Sequence, residues 1–197
     1  MQSNQRVQIL LEVALFAVIA LILDLFIPTF GPVKIDIKML PIVIIALRRG
    51  FVPGILSGLL WGLLQVLVGD AYILTISQFL LEYFVAFALI GFAGMASKPL
   101  QKLLHEEPEA LGKQTLWASI GLIVGSGARY IIHFLAGYIF WGAYAPEGQG
   151  ALLYSFIVNG TAFLTETGTV LIALILLAKY FQRLLRVENY VISNSLS

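Results

Sequence analysis

The sequence predicts an all-α integral membrane protein of six transmembrane helices, and three observations carry that prediction. Of 197 residues, 59% are apolar and only 12% charged, where a soluble domain carries about a quarter; the mean hydropathy is +0.92. The apolar residues gather into runs long enough to cross a hydrocarbon core of ~30 Å as helices. The basic residues concentrate between alternate runs, which orients the chain. Residues 1–197 therefore read as a single transmembrane domain.

The first span covers about residues 7–29 and ends near FIPTFGP. It is too long for a signal-peptide core and lacks a small-x-small cleavage site, so it reads as a retained helix. The second, about 38–48, has Pro41 near its start and RRG at its end. Eleven residues rise only about 16 Å, so it either extends into KIDIKM or lies tilted and partly buried among the others. The third, about 51–69, carries Gly54, Gly58 and Gly62 in GILSGLLWG, a small-xxx-small series suited to close helix packing in lipid. Ala14, Ala17 and Ala20 form a similar face on the first span, read as internal packing. The fourth span is expected over about 72–96, the fifth over 115–142 after the polar SKPLQKLLHEEPEALGKQ, and the sixth over 151–181 after AYAPEGQG.

With both termini cytoplasmic, the inner side holds Arg6, Arg48, Arg49, Lys98, Lys102, Lys113, Lys179, Arg183 and Arg186. The outer side holds Lys34 and Lys38, and Arg129 lies within a span. Nine positive charges inside against two outside decide the orientation.

Ionisable groups at membrane depth are costly and mark function or pairing. Asp24, Glu82, Arg129, His133 and Glu166 are such groups. Glu82, in YILTISQFLLEYF, and Arg129 fall at matching depth on the spans as drawn, which predicts an ion pair between them, either purely structural or beside a cavity. In ARYIIHFLAGYIFW, the residues Arg129, His133, Gly137 and Trp141 recur every four positions. Each step turns about 40°, so they form a slowly winding stripe that climbs to the outer surface, with a notch at Gly137. Tyr154 and Asn159 occupy the outer half of span six, and Tyr72, Tyr83 and Trp61 add aromatic rings nearby. The inner halves, AFALIGFAGMA and TLWASIGLIVGS, are bland. A pore needs polar groups along its full depth, so half-depth polarity predicts a pocket open to the outside and closed below. Several aromatic faces with one carboxylate suit a flat cationic heteroaromatic ligand.

Other classes lack their parts. No G-x-x-x-x-G-K-[ST] motif is present, so ATP-driven uptake would need separate subunits. Neither H-E-x-x-H nor G-x-S-x-G occurs, there is no cysteine, and two histidines make poor metal-site material. The chain is expected to be no enzyme, to hold no metal or cofactor, and to bind no nucleic acid. It has no visible internal repeat of the kind that builds many secondary transporters.

The segments RRGFVPGILSGLLWGLLQVLVGDAYILTISQFLLEYFVAF, ARYIIHFLAGYIFWGAYA and YSFIVNG closely resemble the thiamine-specific substrate-binding (S) subunits of bacterial energy-coupling factor (ECF) vitamin transporters. The resemblance extends over about residues 7–180 and is strongest in spans three to five. It implies a multi-pass protein of the bacterial cell membrane, with a thiamine site near the outer face. It also implies a transmembrane coupling (T) protein and two ATPase subunits as partners, and an S subunit that topples in the bilayer to deliver its vitamin. On this resemblance Glu82 holds the aminopyrimidine beside Tyr83, His133 and Asn159 make polar contacts, and Trp141 stacks on the thiazolium. Tyr72, Tyr154, Trp61 and Gly137 line the pocket. Family members carry Lys at the position of Arg129, and a Trp in the first outer loop where this chain offers Pro32, with Phe30 as a substitute wall. Two other functions remain open: an S subunit for a related pyrimidine or thiamine phosphate, and a stand-alone transporter using Glu82 as a proton carrier.

Overall fold

The computed structural model describes residues 2–26, 36–69 and 71–188, all helix, turn or loop with no strand among them. The end of the first predicted span, with Phe30, Pro32 and Lys34, lies outside the described residues. Four helices among those described are long and apolar enough to cross a membrane: Asn4–Phe26, Ile76–Glu106, Leu111–Phe140 and Ala151–Leu176. The third predicted span is the shorter apolar helix Phe51–Leu67.

Helix α1 (Gln2–Phe26) packs on α2 (Leu40–Arg49) and α3 (Phe51–Leu67). The second span does not extend as helix into KIDIKM. Its helix starts at Leu40 behind a turn in which Asp36 accepts from the Lys38 amide at 3.2 Å. Pro41 falls in the first turn, where a missing N–H costs nothing. Residues Pro41 to Leu47 are all buried. A helix apolar on every face belongs inside other helices, and α2 is the hydrophobic centre around which they stand. Ser57 of α3 donates to the Val13 carbonyl of α1 at 3.0 Å. Ala17 and Ala20 are buried here, as internal packing requires.

The fourth helix differs most from expectation, starting later and ending later than 72–96. It runs continuously through α4 (Ile76–Phe79), a π-helical turn (Leu80–Val85), α5 (Ala86–Leu89), a 3-10 stretch (Ile90–Ala96) and α6 (Ser97–Glu106). Thr75 sets the start, its hydroxyl accepting from the Gln78 amide at 3.1 Å. The polar segment read as a connection is helical because it is amphipathic: Leu100, Gln101 and Leu104 turn inward. Only 107–110 separates it from α7 (Leu111–Phe140). The sixth span breaks at Leu177 into α8 (Ala151–Leu176) and α9 (Ala178–Leu185).

The chain after α9 is pinned to the same end of the bundle as Arg48. Arg48 Nη1 donates to the Leu184 carbonyl at 2.7 Å, and Gln101 Nε2 to that of Leu185 at 2.7 Å. Arg49 grips Glu12 of α1 at 2.6 Å.

The glycine series on α3 meets the fourth helix backbone to backbone. A Cβ placed on Gly62 would lie 1.8 Å from the Tyr83 carbonyl oxygen, and one on Gly58 2.1 Å from that of Phe87. Neither carbonyl can withdraw without bending its helix. Gly62→Ala is therefore expected to destabilise by about 1–3 kcal/mol, read as a fall in thermal midpoint in detergent. Gly127→Ala, whose Cβ would meet nothing within 4 Å, should match or exceed the parent because alanine is the better helix former.

Candidate functional site

The site is built where the fourth helix begins. In the capping pattern Thr75-x-x-Gln78, the Gln78 amide caps on Thr75 while its side chain is buried and fully used. Its Oε1 accepts from the Leu74 amide at 3.0 Å, and its Nε2 donates to the Tyr72 carbonyl at 3.1 Å. That same nitrogen donates to the Glu82 carboxylate, one turn further. Glu82 sits in the π-helical turn, a wider coil that inserts a residue and re-aims those around it. Its second oxygen accepts from the Trp141 indole Nε1 at 2.8 Å. Trp141 ends α7, with its ring centroid 5.4 Å from Tyr72 on one side and 5.4 Å from Tyr144 on the other. A hydrogen bond to Tyr72 holds the Tyr144 hydroxyl above its ordinary pKa. The Tyr83 hydroxyl accepts from the Tyr72 amide at 2.9 Å, fixing the extended residues before α4. One carboxylate is thus presented, at one end of the bundle, beside three clustered aromatic rings.

The predicted ion pair between Glu82 and Arg129 does not form. Arg129 pairs instead with Glu166 of α8. Depth explains the change. Glu82 lies six residues below Ile76, roughly 9 Å, because the helix starts four residues later than expected. Arg129 lies eleven residues below Phe140, roughly 17 Å. Its guanidinium also lies 5.1 Å from the Phe87 ring of the fourth helix and 5.8 Å from the Trp61 ring of α3, cation–π contacts that add to the Glu166 pair. Among the described residues no cation lies within ion-pair distance of Glu82.

A second recess of about 170 Å³ lies between α7 and α8, bordered by Met39, Arg129, His133, Asn159, Phe163 and Glu166. Arg129 Nε, His133 Nε2 and Thr167 Oγ1 are buried there without a hydrogen-bond partner among the described residues. Buried polar atoms in a lipid-embedded bundle need partners, so this recess suits water or a polar ligand group. His133 also meets the Phe87 ring edge-on at 6.3 Å, and Phe87 stacks on Tyr83 at 6.0 Å. The two parts of the site thus share one aromatic wall.

The remaining predicted residues divide. Asn159 borders the recess, its Nδ2 donating to the Ser155 carbonyl at 3.1 Å. Tyr154 is half-buried one residue before Ser155. Gly137 is not an open notch for a ligand: a Cβ there would meet Ser155 Oγ at 2.4 Å and Asn159 Nδ2 at 2.7 Å, so it seats α8 against α7. Trp61 does not line a cavity. The close approach at Gly58 and Gly62 swallows it, and it packs edge-on against Phe87 at 4.6 Å with no exposed surface. Asp24 is neutralised by Lys38 at 2.9 Å, which also reaches Asp36 at 3.0 Å. Gln78, Tyr144 and Glu166 were missed as site residues. The capping pattern and the four-residue step from Gln78 to Glu82 mark the first.

The family described as thiamine transporter protein (Thia_YuaJ) matches residues 10–186 of this chain. The chain belongs to that family. It is 37% identical over 172 residues to the thiamine transporter ThiT of Lacticaseibacillus paracasei, covering 85% of each chain. With the thiamine transporter ThiT of Bacillus subtilis it shares 34% over 194 residues, 95% of this chain and 98% of the relative. A solved structure of ThiT from Listeria monocytogenes superposes with a TM-score of 0.85 at 40% identity, over 93% of this chain and all of that one. Family membership and the membrane-length helices make this a multi-pass protein of the bacterial cell membrane.

Trp141→Phe keeps the ring but removes a charge-assisted donor from a buried carboxylate. It is expected to destabilise the ligand-free protein by about 1.5–3 kcal/mol, measured by thermal unfolding against Trp117→Phe as control.

Proposed function

We propose that this chain is the thiamine-binding S component of an ECF-type importer, capturing thiamine at the outer face for uptake driven by a separate T protein and two ATPase subunits. Six spans with both termini cytoplasmic and no cofactor of its own complete the reading. Its chief support is the Glu82 carboxylate, held by two neutral donors, Gln78 and Trp141, with no cation beside it among the described residues. A negative charge kept unpaired in lipid is costly, and a cationic ligand offsets that cost. Thiamine carries a thiazolium for the faces of Trp141, Tyr72 and Tyr144, and an aminopyrimidine whose N–H groups match the carboxylate. His133 and Asn159 offer further polar contacts deeper in. Arg129 is already neutralised by Glu166, which favours the free vitamin over its phosphate esters. A proton-coupled transporter would instead take up thiamine in vesicles containing this chain alone under a pH gradient.

Titration of purified protein with thiamine is expected to quench intrinsic tryptophan fluorescence through Trp141. A flat signal with thiamine, or quenching by unrelated vitamins only, overturns the assignment. Glu82→Gln keeps the shape but loses the charge and should weaken binding by about 1.5–3 kcal/mol, roughly 10- to 150-fold in Kd. Unchanged affinity removes Glu82 from the site.

A further inference from the structure

The site carries two carboxylates, Glu82 and Glu166, and one guanidinium, Arg129, and it pairs them unequally. Arg129 and Glu166 form an ion pair between α7 and α8, their side chains 12% and 16% exposed. Among the described residues, Glu82 receives only the Gln78 amide and the Trp141 indole. The pairing decides the sign of the site. With Arg129 bound to Glu166, one negative charge is left over and it sits on Glu82. With Arg129 unheld, its positive charge would offset that of Glu82, and the site would be one unit more positive.

We infer that Glu166 is a specificity-determining residue that acts through Arg129. By sequestering the guanidinium it keeps the site negative, favouring a cation and rejecting ligands that bring a phosphate. This inference rests on the reading of the site as one for thiamine. The recess gives the rejection a concrete location: Arg129 Nε and His133 Nε2 are buried there without partners among the described residues. Once Glu166 no longer compensates Arg129, the same recess becomes an attractive place for an anionic oxygen. A guanidinium is charged at every accessible pH, so removing Glu166 cannot be offset by loss of a proton from its partner. Electrostatic interactions in a water-poor site are weakly screened, so the change reaches the ligand across the recess.

The test compares dissociation constants for thiamine and thiamine monophosphate in purified wild-type protein, in Glu166→Gln, and in the double variant Arg129→Gln/Glu166→Gln. The ratio of the phosphate's Kd to thiamine's is the readout, because loosened packing alone weakens both ligands together. Glu166→Gln should lower that ratio at least tenfold. The double variant restores the charge balance and should return it to within about threefold of wild type. Glu166→Ala removes the same charge without adding an amide and replaces Glu166→Gln if that variant does not fold. A single variant with the wild-type ratio overturns the inference, as does a double variant that shares the single variant's fall. Wild-type protein that binds no thiamine defeats the reading of the site itself, an outcome distinct from an unchanged ratio in variants that bind.

Discussion

The approach of α3 to the fourth helix is the constraint on which the rest of this structure depends. Lipid offers little hydrophobic drive for one helix to join another, so association relies on intimate packing. Gly58 and Gly62 let α3 lie directly on the carbonyls of Phe87 and Tyr83, and Gly91 answers from the other side, where a Cβ would meet the Ile55 amide at 2.2 Å. Tyr83 lies in the π-helical turn that carries Glu82. The backbone that aims the carboxylate is therefore braced by a neighbouring helix at the one place where its own hydrogen bonding is irregular. The same approach buries Trp61 and sets the Phe87 ring that both it and Arg129 contact.

Much of this was legible in the residues. The apolar runs marked each membrane-length helix and the GILSGLLWG glycines marked a packing seam, while the short second run left open an extension into KIDIKM or burial among the others. What escaped reading depends on where helices begin and end. SKPLQKLLHE has the polarity of a connection, but Leu100 and Leu104 lie four apart on one face, and that face is buried. At the other end, the helix starts at Ile76, capped by Thr75, rather than at Tyr72. The four-residue difference is about 6 Å of height, enough to separate Glu82 from Arg129 and hand the guanidinium to Glu166. Depth judged from run boundaries carries that error directly into pairing. Trp61 and Trp141 were equally eligible as ligand walls by composition. Only their neighbours distinguish them, since Trp61 is flanked by the glycine seam and Trp141 closes its helix at the bundle's end.

Among the described residues, the buried and half-buried carboxylates of the bundle meet cations with one exception. Glu12 is matched by Arg48 and Arg49, Asp24 and Asp36 by Lys38, and Glu166 by Arg129. Lys38 illustrates the balance: burial works against its charge, but Asp36 and Asp24 together outweigh burial and lift its pKa above the ordinary range. Glu82 alone among these carboxylates is answered by neutral donors. A buried ion pair adds little to stability on balance, whereas a charge without its partner is costly. These other carboxylates of the bundle thus each meet a cation, and the one at the aromatic cluster does not.

The Trp141 indole gives that imbalance a consequence for binding. The Gln78 amide donates to one Glu82 oxygen, and the indole N–H occupies the other at 2.8 Å. A ligand N–H arriving at that oxygen either shares it, since a carboxylate oxygen accepts more than one hydrogen bond, or displaces the indole. Displacement exchanges one hydrogen bond for another, and the net gain from such an exchange is small. Affinity on the proposed reading must then come from what the indole cannot supply, namely a positive charge and ring area buried against Tyr72, Tyr144 and Trp141 itself. A neutral molecule with the same hydrogen-bonding edge would gain the exchange and little else. On the proposed reading, selection for a cation follows from the way Gln78 and Trp141 already satisfy the carboxylate.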